Sequence, residues 1–341
     1  MKKMLLLVAL IGLASCDDGD LQIEQVDFDE VDIESCPGLA DPTETTFFYK
    51  IDGDEALLLN LADGLIQNGT STPGTLTSTI PEPSSLIYRL FSDDVSTAYF
   101  CDAVPPLEPM VINENVATAG NISIDTRVDT LTTVSKIYAH TISIDDLSLE
   151  NNQGEQLTDL STLVYGTFIT EPNNSAQLTV PFSNYPEIVA DRCNPSPIVG
   201  TTRLNKVDND EFIALDLPDA EFDRLFANIA TIDTTRTLDL EEGEIFKYVV
   251  LDTLVTDDLA CTDVFGEGGG ISSYRLISTA GTLRVTTVAG EPEADGSISY
   301  THTITLEDLL LTSKGDGTNT EDQDLAPIPE AEFGFYITTE L

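Results

Sequence analysis

The feature of this sequence that most restricts its fold is an internal duplication. Tyr49 to Leu61 (YKIDGDEALLLNL) matches Asn205 to Leu217 (NKVDNDEFIALDL) at six of thirteen positions, and Tyr138 to Leu149 (YAHTISIDDLSL) matches Tyr300 to Leu311 (YTHTITLEDLLL) at seven of twelve. Features that played no part in finding these stretches fall into the same frame. Cys36 lies 14 residues before Lys50 and Cys193 lies 13 before Lys206, while Cys101 follows Lys50 by 51 residues and Cys261 follows Lys206 by 55. Ala119-Gly120 matches Ala280-Gly281, and Tyr165 to Thr170 matches Phe333 to Thr338. A period of about 160 residues is too long for a solenoid repeat, so two copies of one domain are expected. Copy one covers 36–170, a connector 171–192, and copy two 193–341, preceded by residues 1–15 and an acidic stretch 16–35.

The repeated segments alternate in the manner of strands. In Tyr300 to Leu306, tyrosine, histidine, isoleucine and leucine take one face and three threonines the other, the pattern of a half-buried strand. Asp52-Gly53-Asp54, between two β-rich runs, signals a hairpin turn, and Asp208-Asn209-Asp210 repeats it with a second residue that tolerates positive φ. Further strands are expected at Leu76 to Ile80, Leu86 to Ser92, Ile122 to Val128 and Leu163 to Thr170. Asp219, Phe222, Leu225, Phe226 and Ile229 have helical spacing behind an N-cap aspartate, so copy two is expected to carry a short helix. The expected fold is all-β, two tandem sandwich-like domains, with a small barrel as runner-up.

The first residues supply an address. Met1-Lys2-Lys3-Met4 precedes the apolar run Leu5 to Leu13, which is too short to span a bilayer and has the form of a secretory leader. It ends in Leu13-Ala14-Ser15-Cys16, which resembles the lipobox of bacterial lipoproteins, whose cysteine becomes the acylated N-terminus. Residues 17–35 carry nine Asp or Glu and no Lys or Arg. Such a run is expected to be a solvated tether, although the alternation in Leu21 to Ile33 leaves room for an edge strand. An acidic stretch behind the lipid cysteine resembles the surface-export signals of outer-membrane lipoproteins of the Bacteroidota. Aspartate directly after that cysteine is, in enterobacterial lipoproteins, an inner-membrane retention signal. The length of the acidic run favours the outer membrane with the bulk facing outward, a periplasmic orientation being the alternative. The resemblance is confined to the leader and tether and names no family for the duplicated domain.

Removal of residues 1–15 leaves 13 basic and 60 acidic side chains, a net charge of −47. Phosphate neutralisation requires clustered Lys and Arg, so nucleic acid is not an expected partner. The expected partners are the membrane, through the lipid on Cys16, and an envelope protein or polysaccharide. With Cys16 assigned to lipid, Cys36, Cys101, Cys193 and Cys261 remain in an oxidising compartment, where disulfides are expected. Four cysteines allow three pairings. The duplication selects Cys36–Cys101 and Cys193–Cys261, one bridge in each copy.

Candidate chemistry is sparse. His140 and His302 occupy one position in the two copies, each on a strand face shared with tyrosine and aliphatic residues, which suits packed histidines better than catalytic ones. Asp52, Asp54, Asp208 and Asp210 are weak calcium candidates, but they lack the ligand spacing of an EF-hand loop, and hairpin chemistry explains them more simply. No other cofactor is expected. The acidic loop 315–322 reads as solvated, and the glycine run 266–270 lacks the Lys-Ser/Thr of a phosphate loop. The sequence leans toward a non-enzymatic binding or structural module on a lipid anchor. The alternative is an envelope hydrolase with its site between the two domains.

Overall fold

The computed structural model describes residues 28–39, 41–132, 134–171, 178–231, 235–240, 244–262, 273–314 and 323–340. The leader, Cys16, the acidic run through residue 27, the glycine run and the loop 315–322 lie outside the described residues. The first domain contains β1 (Glu34–Ser35), β2 (Phe47–Asp52), β3 (Glu55–Asn60), β4 (Leu76–Ile80), β5 (Ser85–Phe91), β6 (Val111–Leu131), β7 (Lys136–Asn151), β8 (Gln156–Asp159) and β9 (Leu163–Thr170). They form one antiparallel sheet in the order β1-β2-β3-β5-β6-β7-β8, with β4 also on β6 and β9 also on β7. The second domain has β10 (Asp191–Arg192), β11 (Thr201–Asp208), β12 (Glu211–Pro218), β13 (Arg236–Asp239), β14 (Phe246–Leu251), β15 (Ser273–Ala289), β16 (Ile298–Lys314), β17 (Gln323–Asp324) and β18 (Ile328–Glu340). Its sheet repeats the same topology, strand for strand.

One long hairpin turns each sheet into two layers. β5 pairs with the start of β6, through Val116, whereas β4 pairs with Gly120 to Ile124 farther along it. β9 takes Tyr138 to Ile144 of β7, and β8 takes Leu147 to Glu150. Between these sets the register slips around Ala119, and Asp146 adopts a φ of 55°. The second hairpin slips around Ala280, and Asp308 adopts 49°. Aspartate enters the left-handed region more readily than most residues, and a bulge bends its strand. The shared Asp-Leu of the second matching stretch is therefore the corner of each fold.

The corner lays one layer on the other. Tyr165 on β9 donates a buried hydrogen bond of 2.9 Å to the Leu57 carbonyl on β3, although these strands lie four steps apart along the sheet. Phe48, Leu57, Leu59 and Tyr88 from one layer and Ile122, Ile124, Ile142 and Ile144 from the other form one buried core. Each such aliphatic side chain contributes about 1.5–3 kcal/mol by leaving water. Among the described residues the sheet path is open at both ends, so the architecture is a sandwich and not a closed barrel.

Cys36 bonds Cys101 and Cys193 bonds Cys261, closing 65 and 68 residues respectively. A closure of that length stabilises a domain by about 4 kcal/mol through the unfolded chain. Three expectations are corrected. The strands around Ile122 and Tyr138 run to 21 and 16 residues, because bulges hide their continuity from an alternation test. Both cores begin upstream of their first cysteine: Phe28 is buried in the first, and Leu178, Val180, Tyr185 and Ala190, from the expected connector, are buried in the second. The expected helix forms as Asp219–Leu225 and buries Phe222 and Leu225, but Asp219 is its first residue, not its cap, and accepts a hydrogen bond from Thr202. Ile229 lies beyond it and is exposed.

Candidate functional site

Both histidines are held in the same four-residue network. Thr170 donates its hydroxyl to Asn68 Oδ1 at 2.7 Å, so its oxygen accepts from His140 Nε2 at 2.8 Å. Nδ1 is then the acceptor for the Thr126 hydroxyl at 2.9 Å. The second domain repeats the set with Asn228, Thr338, His302 and Thr287, at 2.9 Å on each side of the ring. Both rings are fully buried, and burial lowers both pKa values to about 4. For His302 the Arg236 guanidinium, which also donates to the Thr287 hydroxyl, adds to the shift. A neutral imidazole with both nitrogens satisfied fastens one layer to a crossing segment; it is not placed to take a proton from a substrate. Asn68 and Asn228 escaped the sequence reading because their flanks, Gln67-Gly69 and Ala227-Ile229, share no residue.

The hairpin aspartates sit in two-residue turns, with Gly53 and Asn209 at φ 59° and 55°. The copies then diverge. In the first domain Asp52 and Asp54 face solvent. In the second, the turn points into the first domain, where Asp210 Oδ1 accepts from Lys136 Nζ at 2.8 Å and from the Tyr138 hydroxyl at 3.3 Å. Glu211 accepts from Lys136 at 3.2 Å, from Tyr248 at 2.7 Å and from Tyr185 at 3.3 Å. All six groups are buried. Burial pushes both carboxyls up, against the pull of Lys136. Among the described residues, no three His, Cys, Asp or Glu side chains converge in the manner of a metal-ligand set.

The junction is directional. Asp54-Glu55 matches Asp210-Glu211, so both copies carry the acidic half, but the position of Lys136 is Ile298 in the second copy. Beside the ion cluster a pocket of about 280 Å³ lies between the domains, lined by Gln67, Asn68, Thr70, Ser71, Thr72 and Asn209 among others. Its lining is amide, hydroxyl and aliphatic, without a carboxylate or imidazole.

A cleft of about 1140 Å³ lies in the first domain, lined among others by Leu147, Leu149, Leu157, Leu163, Val31 and Ile33. At its floor lies Lys50, buried, its Nζ donating to the Phe28 carbonyl at 2.7 Å and lying 5.7 Å from the Tyr165 ring centre. Burial lowers its pKa, against the opposing charges of Asp29 and Asp32. Lys206 has the same place in the second domain, donating to the Tyr185 carbonyl at 2.9 Å over Phe333. Compared with known proteins, the chain matches no family model, no curated protein and no solved structure.

Proposed function

We propose that this chain is a lipid-anchored cell-envelope protein whose paired domains act as a non-enzymatic binding or structural module, held at the outer membrane through Cys16. The observation that carries the reading is the duplicated Thr–His–Thr–Asn network. Both histidines of the chain are buried and neutral, each with two hydrogen-bond partners, so neither offers a general base. The alternative of a hydrolase between the domains asks for free titratable groups there. At that junction Asp210 and Glu211 are instead engaged by Lys136 and three tyrosines. The leader and lipobox support the anchor, and the two disulfides suit an exported chain. An envelope protein or a polysaccharide is the partner class this reading favours.

The test is metabolic labelling with radioactive palmitate of cells expressing the full chain and its Cys16→Ser variant, followed by envelope fractionation. Label on the wild type alone, in the outer-membrane fraction, supports the reading. An unlabelled wild type removes the anchor, and hydrolysis of an envelope polymer by purified protein removes the non-enzymatic role.

A further inference from the structure

We infer that a pocket on the outer face of the first domain binds a neutral sugar residue, and that the partner of this chain is an uncharged polysaccharide. The pocket, of about 460 Å³, is lined by Phe47 of β2, Leu58 and Asn60 of β3, and Ser85, Ile87 and Arg89 of β5. These alternate with Phe48, Leu57, Leu59, Leu86 and Tyr88, which point into the domain core, so the pocket lies on the opposite face of the layer. Part of its wall is aromatic. Phe100, on the helical turn Ala98–Cys101, lies 6.4 Å from the Phe47 ring and 5.4 Å from that of Tyr99, so three half-buried rings run together. The rest carries polar tips. Asn60 and Ser85 are paired directly across β3 and β5, and Arg89 is held by Glu114 through Nε at 2.7 Å. Among the described residues, the side chains of Asn60 and Ser85 and the Tyr99 hydroxyl have no hydrogen-bond partner.

The second domain shows that this arrangement is not a demand of the fold. By sheet register and disulfide position, Phe47, Asn60, Ile87, Tyr99 and Phe100 correspond to Arg203, Asp216, Lys247, Leu259 and Ala260. There Arg203 and Lys247 converge on Asp216, and Arg203, Asp216 and Ala260 are buried. One copy thus closes this place with ions that satisfy one another. The other lines it with rings and with polar groups that have bonds left to make.

Those two kinds of group together select the ligand. A pyranose presents C–H groups on its faces and hydroxyls around its rim; aromatic surface suits the first, and an amide, a hydroxyl and a guanidinium suit the second. A wholly apolar ligand would instead strip water from Asn60, Ser85 and Arg89 without replacing its hydrogen bonds. The volume falls in the range of small-ligand pockets, about 300–1,000 Å³. Charge settles the kind of sugar. The chain carries 60 acidic and 15 basic side chains, and Arg89 is already matched by Glu114, so uronate or phosphate is repelled. The inference rests on the binding-module reading above and narrows its partner class.

Isothermal titration calorimetry of the mature chain carrying Cys16→Ser tests it, with neutral oligosaccharides of glucose, mannose, galactose, xylose and N-acetylglucosamine, and with oligogalacturonate as the anionic counterpart. At least one neutral oligosaccharide is expected to bind, with oligogalacturonate about tenfold weaker or worse. Tyr99→Ala should weaken the neutral ligand about tenfold or more through lost ring area. Asn60→Ala should weaken it about threefold to tenfold through one hydrogen bond, and because Asn60 is exposed this variant keeps the fold even if Tyr99→Ala does not. Leu259→Ala, at the counterpart of Tyr99, should leave the affinity unchanged. Absence of binding by every neutral oligosaccharide, tighter binding of oligogalacturonate, or binding that Tyr99→Ala and Asn60→Ala both leave in place would overturn the inference. Capture by phosphatidylcholine vesicles in place of the oligosaccharides would do the same, by giving the rings to a bilayer. Chromatography of the titrated sugar keeps this apart from the reading above: cleaved ligand would remove the non-enzymatic role and keep the site, whereas intact ligand supports both.

Discussion

Lys136 of the first domain lies 2.8 Å from Asp210 of the second, with both side chains almost wholly out of water. An ion pair so placed is weak as a source of net stability, because each charge loses its hydration, yet it makes the removal of one partner costly. It also sets direction, since Ile298 at the equivalent place offers an acidic hairpin nothing.

Lys136→Met should therefore loosen the junction by about 3–5 kcal/mol, by leaving two carboxylates buried without a cation. Adding Asp210→Asn and Glu211→Gln should recover most of that loss. Denaturant unfolding read by one probe in each domain checks this: two separated transitions are expected for the single variant and one for the triple. A single variant that unfolds like the wild type would mean that the cluster does not couple the domains.

Arg203 is the comparable point inside the second domain. Its guanidinium is fully buried, meets both Asp216 oxygens at 2.6 and 2.7 Å, and donates to the carbonyls of Ala260 and Thr262 beside the disulfide. Lys247 adds a second cation at 2.9 Å, and these charges hold the Asp216 carboxyl below its ordinary range despite its burial. Arg203→Met should cost about 3–5 kcal/mol in the second domain and leave the first unaffected. At the matching position of the first domain Phe47 packs with Tyr49 and Phe100, so Phe47→Leu, a volume loss in an apolar cluster, should cost clearly less. Equal losses at the two positions would refute this comparison.

These two positions show why the fold was more legible than the site. The duplication, the disulfide pairing, the hairpin turns and the packed histidines each depend on a residue type with a local physical role, and each repeats in both copies. The corner at Asp146 and Asp308 was visible as a match, but its meaning depends on a φ value that no alternation test reports. Lys136 was invisible for the opposite reason: it stands where the copies differ, and its partners lie more than seventy residues away.

Gly334 gives a sharper local test. It has a φ of 106°, and a Cβ there would fall on the Lys206 ammonium, which is itself fixed to the Tyr185 carbonyl. Gly334→Ala combines a left-handed backbone with displacement of a buried lysine, and should cost about 2–4 kcal/mol. A second-domain unfolding midpoint within error of the wild type would show that β18 can shift to make room.

The histidines give the pH dependence. Their pKa values in the folded protein are about 4, against about 6.5 in an unfolded chain. Between these values the unfolded state binds the proton and the folded state does not, so stability present above pH 6.5 is lost as the pH falls toward 4, by about 2–3 kcal/mol per ring. Asp210 and Glu211, whose pKa values are raised, act in the opposite sense, gaining as the pH falls, so the wild-type profile alone mixes the two. A His140→Gln/His302→Gln variant separates them. It should be less stable than the wild type at pH 7.5, through the loss of four hydrogen bonds, and the gap should narrow steadily between pH 6.5 and 4. Urea midpoints across that range measure it, and a gap independent of pH would mean that the imidazoles are not kept neutral by burial.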